Sequence, residues 1–118
     1  MKKELDDLKI LVKEFCENRD WNQYHNPKDL AIGLSTESNE LLDLFRFKSE
    51  EQMKEMLDDV KVRTAISEEL SDIFFFLLRF SQMYDFDMRK GLEDKMEKNK
   101  EKYPVNKTKG KNLKYTEY

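Results

Sequence analysis

Residues 58–84 read DDVKVRTAISEELSDIFFFLLRFSQMY. No glycine or proline interrupts the stretch, and its apolar residues recur at helical spacing. On a wheel turning about 100° per residue, Val62, Ile66, Ile73, Phe76 and Phe80 fall within about 60° of Glu69. Asp58-Asp59 offers a helix cap, so the stretch predicts one long helix running to about Tyr84. An acid therefore occupies the middle of the stripe that this helix must bury. Asp72, three residues on, lies at the stripe's edge. Ile73 to Leu78 is apolar all round, which predicts burial on more than one side, partly as a subunit interface.

The preceding segment repeats the design. Asn26-Pro27 reads as a cap followed by proline at the first helical position, opening a helix to about Lys48. On its wheel Leu30, Leu34, Leu41 and Leu44 lie within about 60° of Glu37, and Glu40 borders the stripe. Around these two helices the chain predicts more helix. Lys2 to about Asn18 places Leu5, Leu8, Leu11, Val12 and Phe15 on one face. Arg19 to Asn26 is a polar and aromatic loop with Trp21, Tyr24 and His25. Ser49-Glu50-Glu51-Gln52 is a capping box for a short helix to Leu57. Asp85 or Asp87 caps a last helix, which Tyr103-Pro104 ends. Gly91 within it costs about 1 kcal/mol against alanine. Residues 104–118 read as an extended Lys-rich tail, so the expected organisation is a helical catalytic domain over 1–103 followed by that tail.

With 118 residues, 3 Gly and 2 Pro, the chain fits one all-α domain, and no strand alternation competes. Charged residues are 40% and apolar residues 38%, so a lone subunit would have a small core and the helical bundle is expected to be completed by oligomerisation. Net charge is −3 with both signs interspersed, which argues against a nucleic-acid partner. No apolar run approaches a bilayer span, so no membrane association is expected. The single cysteine, Cys16, excludes an intrachain disulfide, and with no visible signal peptide the expected location is the cytoplasm.

The two acid pairs carry the chemistry. A carboxylate withdrawn from water without a partner loses several kcal/mol, as an order of magnitude. Four acids meeting in one small core also repel, so a cation must lie among them or their pKa values must rise. Oxygen ligands without His or Cys suit Mg²⁺ or Mn²⁺. The competing possibility is that the acids pair with Lys95, Lys98 or Lys102 of the last helix. Glu68 reads as a solvated neighbour of Glu69, although it could shape a second metal site.

Glu37-Ser-Asn-Glu40 and Glu69-Leu-Ser-Asp72 form the E-x-x-E and E-x-x-D pattern that resembles the MazG-type nucleoside triphosphate pyrophosphohydrolases. The resemblance covers nearly the whole chain. It includes Arg19-Asp20-Trp21 with Gln23, His25 and Pro27, then Glu40-Leu41 with Leu44-Phe45 and Lys48. It continues through Lys95-Met96, Asn99, Tyr103-Pro104 and Lys114 to Glu117. Within the family the branch acting on dCTP is most similar.

The resemblance implies an all-α fold assembling as dimers or as a tetramer, and Mg²⁺ held by Glu37, Glu40, Glu69 and Asp72 as the catalytic acids. It implies a nucleoside triphosphate substrate, cleaved at the α-phosphorus to a monophosphate and pyrophosphate in nucleotide-pool housecleaning. Trp21 and His25 would contact the base, and Lys95, Asn99 and Tyr103 would approach the sugar and phosphates. Phe47 and Phe76 stand where that branch carries Trp and Tyr. Phe47 retains a smaller stacking face, whereas Phe76 lacks a hydroxyl. Other readings stay open. The enzyme could be an all-α dUTPase or a broad-range hydrolase, or the chain a helical interaction module with structural salt bridges. Trp21 could plug the loop onto the core, and His25 could be a surface residue beside a cap. Phe74, Phe75 and Phe76 could be packing alone. Lys107, Lys109, Lys111 and Lys114 could be solvated or could fold over the site.

Overall fold

The computed structural model describes residues 2–117. Six α-helices follow in order: α1 (Lys2–Asn18), α2 (Pro27–Phe45), α3 (Glu50–Asp58), α4 (Val60–Met83), α5 (Met88–Lys102) and α6 (Val105–Thr108). Short 3-10 turns lie at Asn22–Tyr24 and Tyr115–Glu117, and the described residues contain no strand. The fold is all-α. No described helix is long and apolar enough to cross a membrane.

Local chemistry explains the helix starts. The Asn26 side chain accepts from the Asp29 amide at 2.8 Å, with Pro27 in the first turn. Ser49 and Gln52 close both halves of a capping box, at 3.1 and 2.8 Å. Asp59 ends α3 and caps α4 by accepting from the amides of Lys61 and Val62. Of the two acids before α5, Asp87 makes the cap. Asp85 instead adopts a left-handed φ of 59°.

Two differences from the sequence expectation concern ends. The second helix stops at Phe45 rather than Lys48, because Phe47 takes a left-handed φ of 65° that a continuing helix cannot hold. The tail, expected to be extended, contains the turn of α6 and a 3-10 turn.

The chain divides into two compact units, one ending at Asp85 and one beginning at Phe86. In the first, α4 is the hub: it packs most extensively on α2, then on α1 and α3. Its apolar core is small. Among the described residues only Cys16, Leu30 and Leu78 are buried apolar side chains. Ile10, Leu11, Phe15, Leu70 and Phe74 remain exposed. Leu8, Leu11, Val12, Phe15, Phe74, Phe75 and Leu78 line an open apolar groove of about 520 Å³ between α1 and α4, with Asp72 and Ser71 on its rim. In the second unit, α5 carries the (i, i+4) ion pairs Arg89–Glu93 and Lys90–Asp94.

Candidate active site

Because the leucines of α2 pack on α4, the acids in their stripe are carried to the same seam. Glu37 and Glu69 are half-buried, while Glu40 and Asp72 are exposed, as expected for the centre and edge of each stripe. The carboxylates of Glu37, Glu40 and Glu69 offer oxygens that all lie within 4.8 Å of one another. Glu37 Oε2 and Glu69 Oε2 are each shielded from solvent without a hydrogen-bond partner. Among the described residues none of the four acids joins an ion pair.

Such a cluster cannot hold full negative charge at every carboxylate without compensation. The Glu37 carboxyl is pushed up to about 7, first by the hydrogen bond it shares with Glu40. Loss of water, a hydrogen bond with Glu69 and the charges of Glu40 and Asp72 follow. Glu69 is also raised, chiefly by loss of water, while its hydrogen bond with Glu37 pulls the other way. Both shifts make the metal-free cluster bind a proton more readily than separate carboxylates would. Asp72 stands outside the trio, but its charge reaches both Glu37 and Glu69.

The loop between α1 and α2 forms a second cluster. Asp20 takes a left-handed φ of 54°, and the Trp21 amide donates back to the Cys16 carbonyl at 3.0 Å. Trp21 packs edge-on against Phe15, with centroids 5.4 Å apart, and approaches the His25 ring at 6.2 Å. It keeps 37% of its surface exposed, so it tacks the loop to α1 and still presents an open face. His25 is half-buried rather than a free surface residue, and its Nδ1 accepts from Arg79 Nε at 2.8 Å.

Phe76 is half-buried and meets Phe75 edge-on at 5.2 Å, and it lies hard against Gly33. Phe47 is 89% exposed at the end of α2, with the Arg46 guanidinium 4.7 Å from its ring centroid. Lys95, Asn99 and Tyr103 belong to the second unit, where four-residue spacing puts them on one face of α5 and its end. Tyr103 packs edge-on against Tyr115.

The residue that sequence reasoning missed is Arg79, 2% exposed inside α4. Besides His25, its guanidinium donates to Gln82 Oε1 at 2.8 Å and to Asn22 Oδ1. Gln82 in turn donates to the Lys9 carbonyl at 2.8 Å, and the Tyr84 hydroxyl donates to the His25 carbonyl at 3.1 Å. The available signal was a lone charge in the apolar run Ile73–Phe80, which amounts to a buried cation in need of acceptors.

Comparison with known proteins places this geometry among others. Residues 32–118 match the description of the MazG-like family. The dCTP pyrophosphatase 1 of Rattus norvegicus is 35% identical over 113 residues, which are 96% of this chain and 66% of that protein. The Homo sapiens protein of the same name is 33% identical, with the same coverage. The chain thus spans just under two thirds of the length of these curated relatives. A crystal structure of a pyrophosphatase from Archaeoglobus fulgidus superposes with a TM-score of 0.79 at 33% identity, covering 86% of this chain and 93% of that one.

Proposed function

The chain belongs to the MazG-like family, and on that premise we propose that it is a Mg²⁺-dependent nucleoside triphosphate pyrophosphohydrolase. Its substrate in this proposal is a deoxynucleoside triphosphate, dCTP or a modified dCTP, and its products are the monophosphate and pyrophosphate. Support for the base comes from relatives that bear the name dCTP pyrophosphatase 1. The role is housecleaning of the cytoplasmic nucleotide pool.

The observation that carries the proposal is the trio Glu37, Glu40 and Glu69, with two shielded oxygens left without partners. The donor set is oxygen only, no ion pair among the described residues engages it, and it is built on two packed helices. That combination fits a hard divalent cation, Mg²⁺ with Mn²⁺ as a substitute. Glu37, Glu40 and Glu69 would hold it, and Asp72 would add a fourth carboxylate. When bound, such an ion activates water, neutralises phosphate oxygens and aligns a pyrophosphate leaving group.

The trio offers no Ser, Thr, Cys or His, its carboxylates are assigned to the cation, and the nucleophile in this proposal is water. Trp21 and His25 bind the base from the loop. Phe76, on the face of α4 that carries Glu69, supplies apolar surface beside it, and Phe47 supplies an exposed ring. For the sugar and phosphates the family resemblance points to Lys95, Asn99 and Tyr103, which share a face of α5 and its end within the second unit. A second copy of the chain covers the apolar groove between α1 and α4, so the active form is a homodimer or homotetramer. Support for that assembly comes from the exposed Leu11, Phe15 and Phe74 and from a core of three buried apolar residues.

The test is a panel of the canonical dNTPs and NTPs assayed for pyrophosphate release, with Mg²⁺ and with EDTA. Release from dCTP above the other substrates, abolished by EDTA, is the expected result. Faster release from dUTP would reassign the base. No release from any nucleotide would overturn the activity.

A further inference from the structure

Arg79 is a cation taken almost wholly out of water, and within the first unit its partners are neutral. Three of its nitrogens donate to His25 Nδ1, Gln82 Oε1 and Asn22 Oδ1. An arginine Nε always carries its hydrogen. The 2.8 Å contact therefore requires a lone pair on His25 Nδ1, and a neutral imidazole with that lone pair carries its proton on Nε2. A second proton on the ring would set two donors and two positive charges against each other. Burial and the Arg79 charge both hold the His25 pKa below its usual value. Among the described residues no hydrogen bond engages Nε2, which the ring geometry turns away from the arginine.

The loop itself is anchored around this contact. Arg79 ties down Asn22, the Tyr84 hydroxyl holds the His25 carbonyl, and Gln82 ties α4 to α1 at Lys9. Trp21 lies edge-on beside the ring at 6.2 Å. We propose that Arg79 is a positioning residue for base recognition: it locks His25 as the Nε2–H tautomer, so the loop offers one fixed donor to an acceptor atom of the base. The proposal rests on the base-binding role given to His25 above. Cytosine presents two such acceptors, its ring N3 and its O2 carbonyl. A locked donor distinguishes these from an exocyclic amino group, which would meet it donor to donor.

The chain has one histidine, so its imidazole nitrogens can be followed by ¹H–¹⁵N correlation NMR in the untagged 118-residue chain. Wild type at pH 7 is expected to show a single neutral tautomer protonated at Nε2. Addition of a non-hydrolysable dCTP analogue should shift the Nε2 signal. Arg79→Met should give a mixture of tautomers and raise KM for dCTP about 3- to 10-fold, the scale of one oriented hydrogen bond, with kcat within about twofold. On a His25→Ala background the same substitution should add less than about twofold. A wild-type ring protonated at Nδ1, or at both nitrogens, overturns the proposal without any variant, even if Arg79→Met fails to fold. So does an Nε2 signal unmoved by nucleotide in an enzyme that turns over dCTP, or additive KM effects in the double variant. Loss of the hydrolase assignment itself would be seen separately, as absent wild-type turnover alongside an unchanged tautomer.

Discussion

Gly33 lies in the middle of α2, where glycine is disfavoured, and the structure gives a reason for it. A methyl group there would sit 2.4 Å from both Cε1 and Cζ of Phe76, whereas ordinary contact begins at 3.4 Å. The ring would have to retreat by about 1 Å, the difference between those two distances. Its edge-on neighbour Phe75, itself edge-on to Phe15 at 6.1 Å, limits where it can go. Gly33→Ala gains about 1 kcal/mol in helix propensity. Overpacking costs about 1–3 kcal/mol. The net expectation is a loss of up to about 2 kcal/mol, read by urea denaturation as a lower midpoint at unchanged slope. In a Phe76→Ala background the whole ring, including the Cδ1 that a methyl at Gly33 would meet at 2.9 Å, is gone, so the same substitution should stabilise by about 1 kcal/mol through propensity. The two effects differ in sign, and that difference is the signature of the contact. Equal stabilisation in both backgrounds would refute the packing of α2 on α4 at this point. Because Phe76 is assigned to the base pocket, Gly33→Ala should also raise KM for dCTP.

Millimolar Mg²⁺ or Mn²⁺ should raise the melting temperature of the wild type, since a ligand of the folded state stabilises by about 2.7 kcal/mol at a hundred times its dissociation constant. Glu69→Gln should lose most of that rise, and identical melting in Mg²⁺ and EDTA would count against the metal site. In EDTA, the Glu37 pKa of about 7 against an ordinary 4.5 means that its proton favours the folded state. That stability is fully present below pH 4.5 and is lost as pH rises through about 7. His25, with its lowered pKa, works in the opposite direction, contributing stability that is lost as pH falls. The Glu37 effect is therefore measured as the difference between wild type and Glu37→Gln. A pH-independent difference would show that the trio does not share a proton. Light scattering at micromolar concentration should give a dimer or tetramer, and a 14.3 kDa species during turnover would exclude a second copy from the groove.

The fold was legible because its punctuation is local. Asn26-Pro27, the Ser49–Gln52 box and Asp59 each act through bonds spanning two or three residues, and all three cap as their sequence suggests. The end of α2 was not legible, because a left-handed Phe47 carries no glycine, proline or asparagine to announce it. The choice between Asp85 and Asp87 was likewise settled only by backbone geometry. At the site, periodicity alone put Glu37 and Glu69 in the stripes of two helices, and the packing of α2 on α4 did the rest. Asp72 shares the spacing of Glu40 but not its place in the trio, because spacing fixes a face and not a distance. The Arg79 contacts were beyond reach of the sequence. Its partner His25 lies 54 positions away, and no local pattern links a buried guanidinium to a loop.

Product analysis of dCTP hydrolysis in ¹⁸O-labelled water with Mg²⁺ tells attack at the α-phosphorus from attack at the γ-phosphorus. If Glu37, Glu40, Glu69 and Asp72 serve attack of water at the α-phosphorus, the products are dCMP carrying the label and unlabelled pyrophosphate. Glu37→Ala, Glu40→Ala, Glu69→Ala and Asp72→Ala should each lower turnover by about 10²-fold or more, the scale of losing a key transition-state contact. Label in orthophosphate with dCDP as the second product, or turnover unaffected by loss of the acids, would contradict the account.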